Sequence, residues 1–337
     1  MSVSIGKTCL CSMLFVAGLL ILQSAKSQPG FESLAQVVEQ RGVKWGDVAI
    51  MIWKDTTVFQ KVTGEMQFTT QEAIDYSSAW FTAALVMNFV DQGKLNLDDP
   101  VAKYLPIFAK FSKGYLTLRH CLANTTGIQG DKGGVQKFFQ RNKFESLEEE
   151  VNAYAAREIV NNPGDAFSYN QIGSSIAARV LEVVGKKSFD RLAMEKLFRP
   201  LGMKRTSFAS DRAINPAAGA MSTATDYLKF LAMILNKGTL AGKKILSDTS
   251  VAEMQKIQNA NAKLVSVPEA TTGMSYGLGN WISANGTMLA SPALSGGWPY
   301  IDLQKKYACV IFTKSNSKGS PPDIYKEIID LVEAGIR

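Results

Sequence analysis

The chain of 337 residues contains one histidine, His120, and four cysteines, Cys9, Cys11, Cys121 and Cys309. One imidazole and thiols so far apart make no ligand cluster for zinc. Neither a Walker loop nor a dinucleotide fingerprint occurs, so no metal and no cofactor is expected. The chemistry left is that of a hydroxyl oxygen made nucleophilic by a neighbouring amine. A serine and a lysine three residues apart share a helix face, which lets the amine take the hydroxyl proton. Two Ser-x-x-Lys strings are present, Ser4 to Lys7 and Ser315 to Lys318. The first lies inside an apolar N-terminal leader; the second follows a predicted strand and opens no helix.

The elements that would position such groups can be read from periodicity. Residues 30–41 have an amphipathic helical pattern, and 47–53 with 57–63 read as a hairpin turning through Lys54-Asp55-Thr56. Trp80, Phe81, Ala84, Leu85, Met87 and Val90 recur at helical spacing and Gly93 follows as a C-terminal cap, which predicts a helix over 79–92. Helical periodicity continues over 117–122, 146–160, 171–184, 189–198 and 224–235. Residues 276–282, 289–294 and 308–313 look extended, and 323–334 reads as a closing helix. The fold class is therefore α/β in the α+β sense: one antiparallel sheet built from both chain ends, flanked by helices, with a mostly helical domain inserted. The expected division is a sheet lobe over about 30–75 and 265–337 and a helical lobe over about 76–264.

Residues 1–27 carry Lys7, an apolar run over 9–22, and Ala25-Lys26-Ser27, a pattern suited to a cleaved signal peptide. The run is shorter than the roughly 20 apolar residues a membrane span needs. No span is expected after cleavage, and the mature protein is expected in the periplasm or secreted. Cleavage removes Lys7 and Lys26, taking the formal charge from +7 to +5. Over 101–143 the cations Lys103, Lys110, Lys113, Arg119, Lys132, Lys137, Arg141 and Lys143 face the single acid Asp131 and interleave with aromatic residues. Such a stretch suits an envelope polyanion; nucleic acid is not an expected partner of an exported chain.

Trp80-Phe81-Thr82-Ala83-Ala84, running on through Asp91-Gln92-Gly93-Lys94-Leu95-Asn96-Leu97-Asp98-Asp99-Pro100 to Lys103-Tyr104-Leu105-Pro106, resembles the stretch after the nucleophile in class C β-lactamase-like serine hydrolases. Further matches keep the order of that family of β-lactamases and penicillin-binding proteins. They are Leu116-Thr117-Leu118-Arg119-His120-Cys121-Leu122, Pro163-Gly164, Phe167-Ser168-Tyr169, Leu201-Gly202-Met203, Ser222-Thr223-Ala224 and Tyr276-Gly277-Leu278-Gly279. The resemblance covers the chain from about Val43 to its end and implies the β-lactamase/transpeptidase-like fold.

It also implies where the chemistry should be, and the groups are missing there. Counting back from the Trp80 match puts Tyr76 at the nucleophilic serine and Ala79 at the lysine. Ser77 and Ser78 gain no base in a shifted register, since Trp80 and Phe81 lie three residues on. The family's Tyr-x-Asn motif keeps Tyr169 but has Gln171 for the amide. Its third motif, Lys or His followed by Gly two residues on, fits Leu294-Ser295-Gly296, continued by Gly297-Trp298-Pro299, so Leu294 replaces the polar residue. Tyr76, Ala79, Tyr169, Gln171 and Leu294 are thus the expected vestigial site, with Ser78, Ser295, Gly296 and Trp298 lining a ligand groove. A phenol of pKa about 10 with no amine beside it stays protonated at neutral pH. The reading is a catalytically silent relative that binds a peptidoglycan-like peptide, a small acyl ligand or a protein partner. The alternative is an active esterase, peptidase or β-lactamase using a non-standard nucleophile such as Ser78 or Tyr76 assisted by Tyr169.

Overall fold

The strand Tyr307–Thr313 reads YACVIFT and every residue of it is buried. Tyr307, Cys309 and Ile311 enter one hydrophobic cluster, while Ala308, Val310 and Phe312 enter another. A continuous apolar run of this kind marks a strand covered on both faces. The computed structural model describes residues 30–45, 47–130, 144–293, 297–314 and 322–336.

Around that strand lies a seven-stranded antiparallel sheet. Its spatial order is Thr56–Val62, Val48–Lys54, Tyr307–Thr313, Gly297–Asp302, Met288–Ala290, Trp281–Ile282, Ser275–Tyr276. Both chain ends therefore contribute, as the bracketing of strands predicts. The N-terminal hairpin turns at Asp55, which takes a left-handed φ of 63°. Helices Glu32–Trp45 and Pro322–Gly335 belong to one side, where Leu34, Val38, Ile328 and Val332 close over Ile50, Ile52 and Tyr300.

The other side carries the helical middle, centred on Ser78–Asp91. Nearly all of this helix is buried, including Trp80, Phe81, Ala84, Leu85 and Val86, so it is a core helix apolar on most sides rather than an amphipathic one. Gly93, with φ 66°, ends it, and the Lys94 amide returns to the Phe89 carbonyl at 3.1 Å. Ala224–Leu235 packs between this helix and the sheet through Phe230, whose ring meets Phe81 edge-on at 4.7 Å and Trp80 at 5.6 Å.

Four expectations need correction. The extended reading over 276–282 is two short strands joined by a tight turn, with the Gly277 amide bonded to the Asn280 carbonyl at 2.9 Å. The strand expected over 289–294 is Met288–Ala290, and a further strand, Gly297–Asp302, lies outside the segments that the pattern marks as extended, with Pro299 in it. The helix over 146–160 is Leu147–Ala156, ended where Arg157 turns to extended backbone with ψ 159°. Residues 189–198 are helical, but the last turn, Met194–Phe198, is the wider π form.

Pro299 is tolerated for a definable reason. The Ser291 amide donates to the Pro299 carbonyl at 3.0 Å, which makes 291 and 299 a hydrogen-bonded antiparallel pair. The return bond would come from the amide that proline lacks. The Ser291 carbonyl instead accepts from the Ser77 hydroxyl, at the threshold of the core helix.

Candidate functional site

The core helix is entered through a single 3-10 turn, Asp75–Ser77, itself preceded by the short strand Glu72–Ala73 paired with Met221–Ser222. Asp75 adopts a left-handed φ of 45°. Tyr76 and Ser77 of the turn and Ser78 of the first helical turn have different partners. Ser77 bonds to the sheet as above, and its carbonyl accepts from the Tyr227 hydroxyl at 2.9 Å. Ser78 is fully buried; its hydroxyl donates to the Asp75 carbonyl at 2.6 Å and accepts from the Ala220 amide at 3.0 Å. Ser78 is therefore not on a ligand groove as expected but is a fastener between the turn and residue 220.

Tyr76 lies inward with 1% of its surface exposed. Its ring packs against Tyr169 with centroids 4.6 Å apart, in a buried cluster with Phe167, Ala217, Tyr276 and Trp281. The strand Ala166–Ser168 and the residue after it put Phe167 and Tyr169 on one face, two residues apart. Tyr276 and Trp281 are cross-strand partners in the hairpin, their rings meeting edge-on at 4.9 Å. Ala79 is the second residue of the helix, and the turn of the hairpin closes on it: a Cβ added to Gly279 would lie 2.7 Å from the Ala79 carbonyl oxygen. The structure thus brings together Tyr76 and Tyr169 and walls them with Phe167, Tyr276 and Trp281, while Ala79 meets the Gly279 turn. That wall was present in the sequence as Phe167-x-Tyr169 and as Tyr276 in the Tyr-Gly-Leu-Gly match, but nothing in one strand shows which residue it meets across the sheet.

The electrostatics of this cluster oppose ionisation. Burial pushes the Tyr169 phenol well above its ordinary range, and the neighbouring Tyr276, Tyr76 and Asp75 add to the rise. Burial raises Tyr276 likewise. Trp281 is the polar neighbour of the Tyr169 hydroxyl, yet among the described residues Tyr169 Oη and Trp281 Nε1 reach full hydrogen-bond geometry with no group. No amine stands at 79 to take a proton.

The other expected site residues lie elsewhere. Gln171 precedes the helix Ile172–Gly185, and its Nε2 donates to the Tyr154 hydroxyl at 2.9 Å, which in turn donates to buried Glu150 at 2.8 Å. Its amide is turned toward the helix Leu147–Ala156. Trp298 contradicts the expectation of a groove residue: it lies on the sheet face of the terminal helices, 5.1 Å from the Tyr325 ring, because alternation along Gly297–Asp302 puts 298 and 300 on that side. Leu294, Ser295 and Gly296 fall outside the described residues.

His120 is structural. Its ring nitrogen Nδ1 accepts from the Thr117 amide at 3.2 Å, completing a capping box at Leu118–Leu122, and burial lowers its pKa. Cys121 and Cys309 are free and buried. In the basic stretch, Lys103 pairs with Asp99 at 3.0 Å, and Arg119 pairs with Asp98 at 2.7 Å and Glu253 at 2.6 Å. Lys113 is buried and donates to the Ala155 carbonyl at 2.8 Å, whereas Lys110 is exposed. Lys132, Lys137, Arg141 and Lys143 lie outside the described residues. Among the described residues no His/Cys/Asp/Glu group could hold a metal ion, and no helix is long and apolar enough to cross a membrane.

Comparison with known proteins agrees with this fold. The Beta-lactamase family profile matches residues 34–333. Protein flp of Staphylococcus aureus (strain MW2) is 28% identical over 143 residues, 42% of this chain and 28% of that protein. Penicillin-binding protein 4 of Amycolatopsis lactamdurans is 26% identical over 249 residues, 62% of this chain and 64% of that protein. The chain thus matches less than two thirds of the length of these curated relatives. Among solved structures, a candidate beta-lactamase from Bacteroides dorei DSM 17855 superposes with TM-score 0.78 and 26% identity, over 89% of this chain and 98% of that one. The octameric penicillin-binding protein homologue from Pyrococcus abyssi gives TM-score 0.72 at 23% identity, over 89% and 76%. The latter likeness shows the fold alone.

Proposed function

The chain belongs to the beta-lactamase family, and from that premise we propose that it is a catalytically silent member, kept for binding. One observation carries the reading: where the family resemblance puts the nucleophilic serine, the ring of Tyr76 is buried against Tyr169. A phenol is a poor nucleophile at neutral pH without a base beside it, and Ala79 offers none. The two hydroxyls that follow Tyr76 are engaged, Ser77 with the Ser291 carbonyl and Ser78 with the Asp75 carbonyl and the Ala220 amide. Once a nucleophile is gone, losing its base costs little more, so a paired replacement at 76 and 79 is what an abandoned mechanism leaves behind.

The scaffold around the missing chemistry is retained, which fits a binding role for a peptidoglycan-like peptide, a small acyl ligand or a protein partner. The leader pattern of residues 1–27 supports export to the periplasm or beyond. An envelope polyanion remains a proposed contact for the 101–143 stretch, with Lys103 and Lys110 as its exposed cations among the described residues.

The test is incubation with a fluorescent penicillin and activated esters, read by intact mass and turnover, beside a Tyr76→Ser, Ala79→Lys double variant. The wild type should form no adduct and turn over nothing. An adduct on the wild type, mapped to one residue and lost when that residue is changed, would overturn the silent reading. Reaction by the double variant alone would support it strongly.

A further inference from the structure

Strand Ala166–Ser168, which leads into Tyr169, has a partner outside the main sheet: it pairs in parallel with Lys263–Ser266. The Lys263 amide donates to the Asp165 carbonyl at 2.8 Å, and the Ser266 carbonyl accepts from the Tyr169 amide at 2.9 Å. Among the described residues this sheet has only these two strands, so no strand lies along the far edge of Lys263–Ser266. A strand in a parallel pair turns its backbone groups to alternate sides. Because Lys263 faces Ala166–Ser168, Leu264 turns its N–H and C=O to the open edge.

The side chains of this strand are as unusual as its edge. Leu264 and Val265 are 58% and 57% exposed, and as successive residues they point to opposite faces. Both faces are thus apolar and open, although the flanking Ala262 and Val267 pack on the aromatic cluster of Tyr76 and Tyr169. Parallel strands are normally covered on both faces, and exposed edges are normally blunted by charge or covered. The one charge here is Lys263, which is exposed and has no ion pair among the described residues. Asp165, whose carbonyl the Lys263 amide holds, has its carboxylate engaged by the Asn162 side-chain amide at 3.0 Å.

We propose that the open edge of Lys263–Ser266 takes up an extended, acidic segment of a partner polypeptide as a third strand. This rests on the binding role proposed above and gives the protein partner a chemistry and a place. The guest backbone bonds to the Leu264 amide and carbonyl, its apolar side chains cover Leu264 and Val265, and its carboxylate pairs with Lys263. Lys263–Ser266 stands between the guest and Tyr169, so Tyr76 keeps its position. Charge decides against a second copy of this chain as the guest. An antiparallel pair centred on Leu264 would put both Lys263 side chains on one face, attached diagonally about 7–8 Å apart, where like charges repel.

The probe is the peptide acetyl-Thr-Glu-Val-Val-Glu-Thr-amide, whose pattern reads the same in either strand direction, titrated into the full chain by calorimetry. Saturable binding is expected, about threefold to tenfold tighter than that of the same peptide with lysine in place of glutamate. Lys263→Glu, a change at an exposed side chain, should reverse that preference. Saturating peptide should slow amide hydrogen exchange over residues 263–266, and a peptide N-methylated at both valines should not bind. Leu264→Pro removes the outward amide and should weaken binding about tenfold. Should that variant not fold, the reversal by Lys263→Glu decides alone. No binding, an N-methylated peptide as tight as its parent, an unreversed preference, or protection confined to other segments would overturn the proposal. A dimer in sedimentation that Leu264→Pro or Lys263→Glu abolishes would overturn it in favour of a second copy. Failure of the silent-site reading would appear separately, as a covalent mass increase with the penicillin or ester probes.

Discussion

Replacing Gly279 by alanine tests whether the Tyr276–Trp281 hairpin is held on the core helix by direct backbone approach. Gly279 has φ +76°, and a Cβ there would lie 2.7 Å from the Ala79 carbonyl oxygen, 2.8 Å from the Ala83 Cβ and 3.1 Å from the Trp80 Cα. Two costs add. A left-handed backbone costs an L residue roughly 1–2 kcal/mol. The inserted methyl meets the backbone of a buried helix, which cannot swing aside, and overpacking of this kind adds about 1–3 kcal/mol. Gly93 separates the two terms: it has φ +66° but nothing within 4 Å of its would-be Cβ. Urea unfolding should therefore show Gly93→Ala losing about 1–2 kcal/mol and Gly279→Ala about 2–5 kcal/mol, with unchanged m-values. Equal losses at the two positions would refute the argument that close approach, rather than backbone conformation, dictates glycine at 279.

Burial lowers the pKa of Lys113 from its ordinary value of 10.5. The unfolded chain therefore binds more protons in the alkaline range below 10.5, and the wild type should gain stability over Lys113→Met as pH rises through that range, measured by urea unfolding at several pH values. The Arg119 guanidinium, bonded to Asp98, holds that carboxyl below its ordinary value of 3.8. This contribution is present above pH 3.8 and lost as pH falls through the lower folded value, so the deficit of Arg119→Ala, about 1 kcal/mol at neutral pH, should shrink in acid. Burial pushes the Cys309 thiol up to about 12 and raises Cys121 as well. Neither should react with a disulfide reagent at pH 8 until the protein is unfolded; labelling of the native protein would contradict their burial.

Sequence reasoning read some of this fold directly. Helix Ser78–Asp91 was legible because its apolar residues are periodic and Gly93 supplies the left-handed cap. Strand Tyr307–Thr313 was legible because a strand buried on both faces is apolar throughout. Gly297–Asp302 was not, since the compensation for Pro299 comes from a side chain 222 positions earlier in the chain, Ser77. The same limit applies to the site. Counting from the Trp80 match located Tyr76 and Ala79, which depend on a single helix register. The direction of Gln171, the wall formed by Tyr276 and Trp281, and the turning of Trp298 toward Tyr325 depend on tertiary partners that no local pattern names.

The bond from Ser77 to the Ser291 carbonyl makes two distant positions genetically dependent on each other. A residue other than proline at 299 would bring its own amide to that carbonyl, and the serine hydroxyl would become redundant. With proline retained, Ser77→Ala strands a buried acceptor. Ser77→Ala should thus be damaging in the native background and nearly silent once position 299 carries an amide, so that the order in which the two substitutions occur decides which lineages can pass through them.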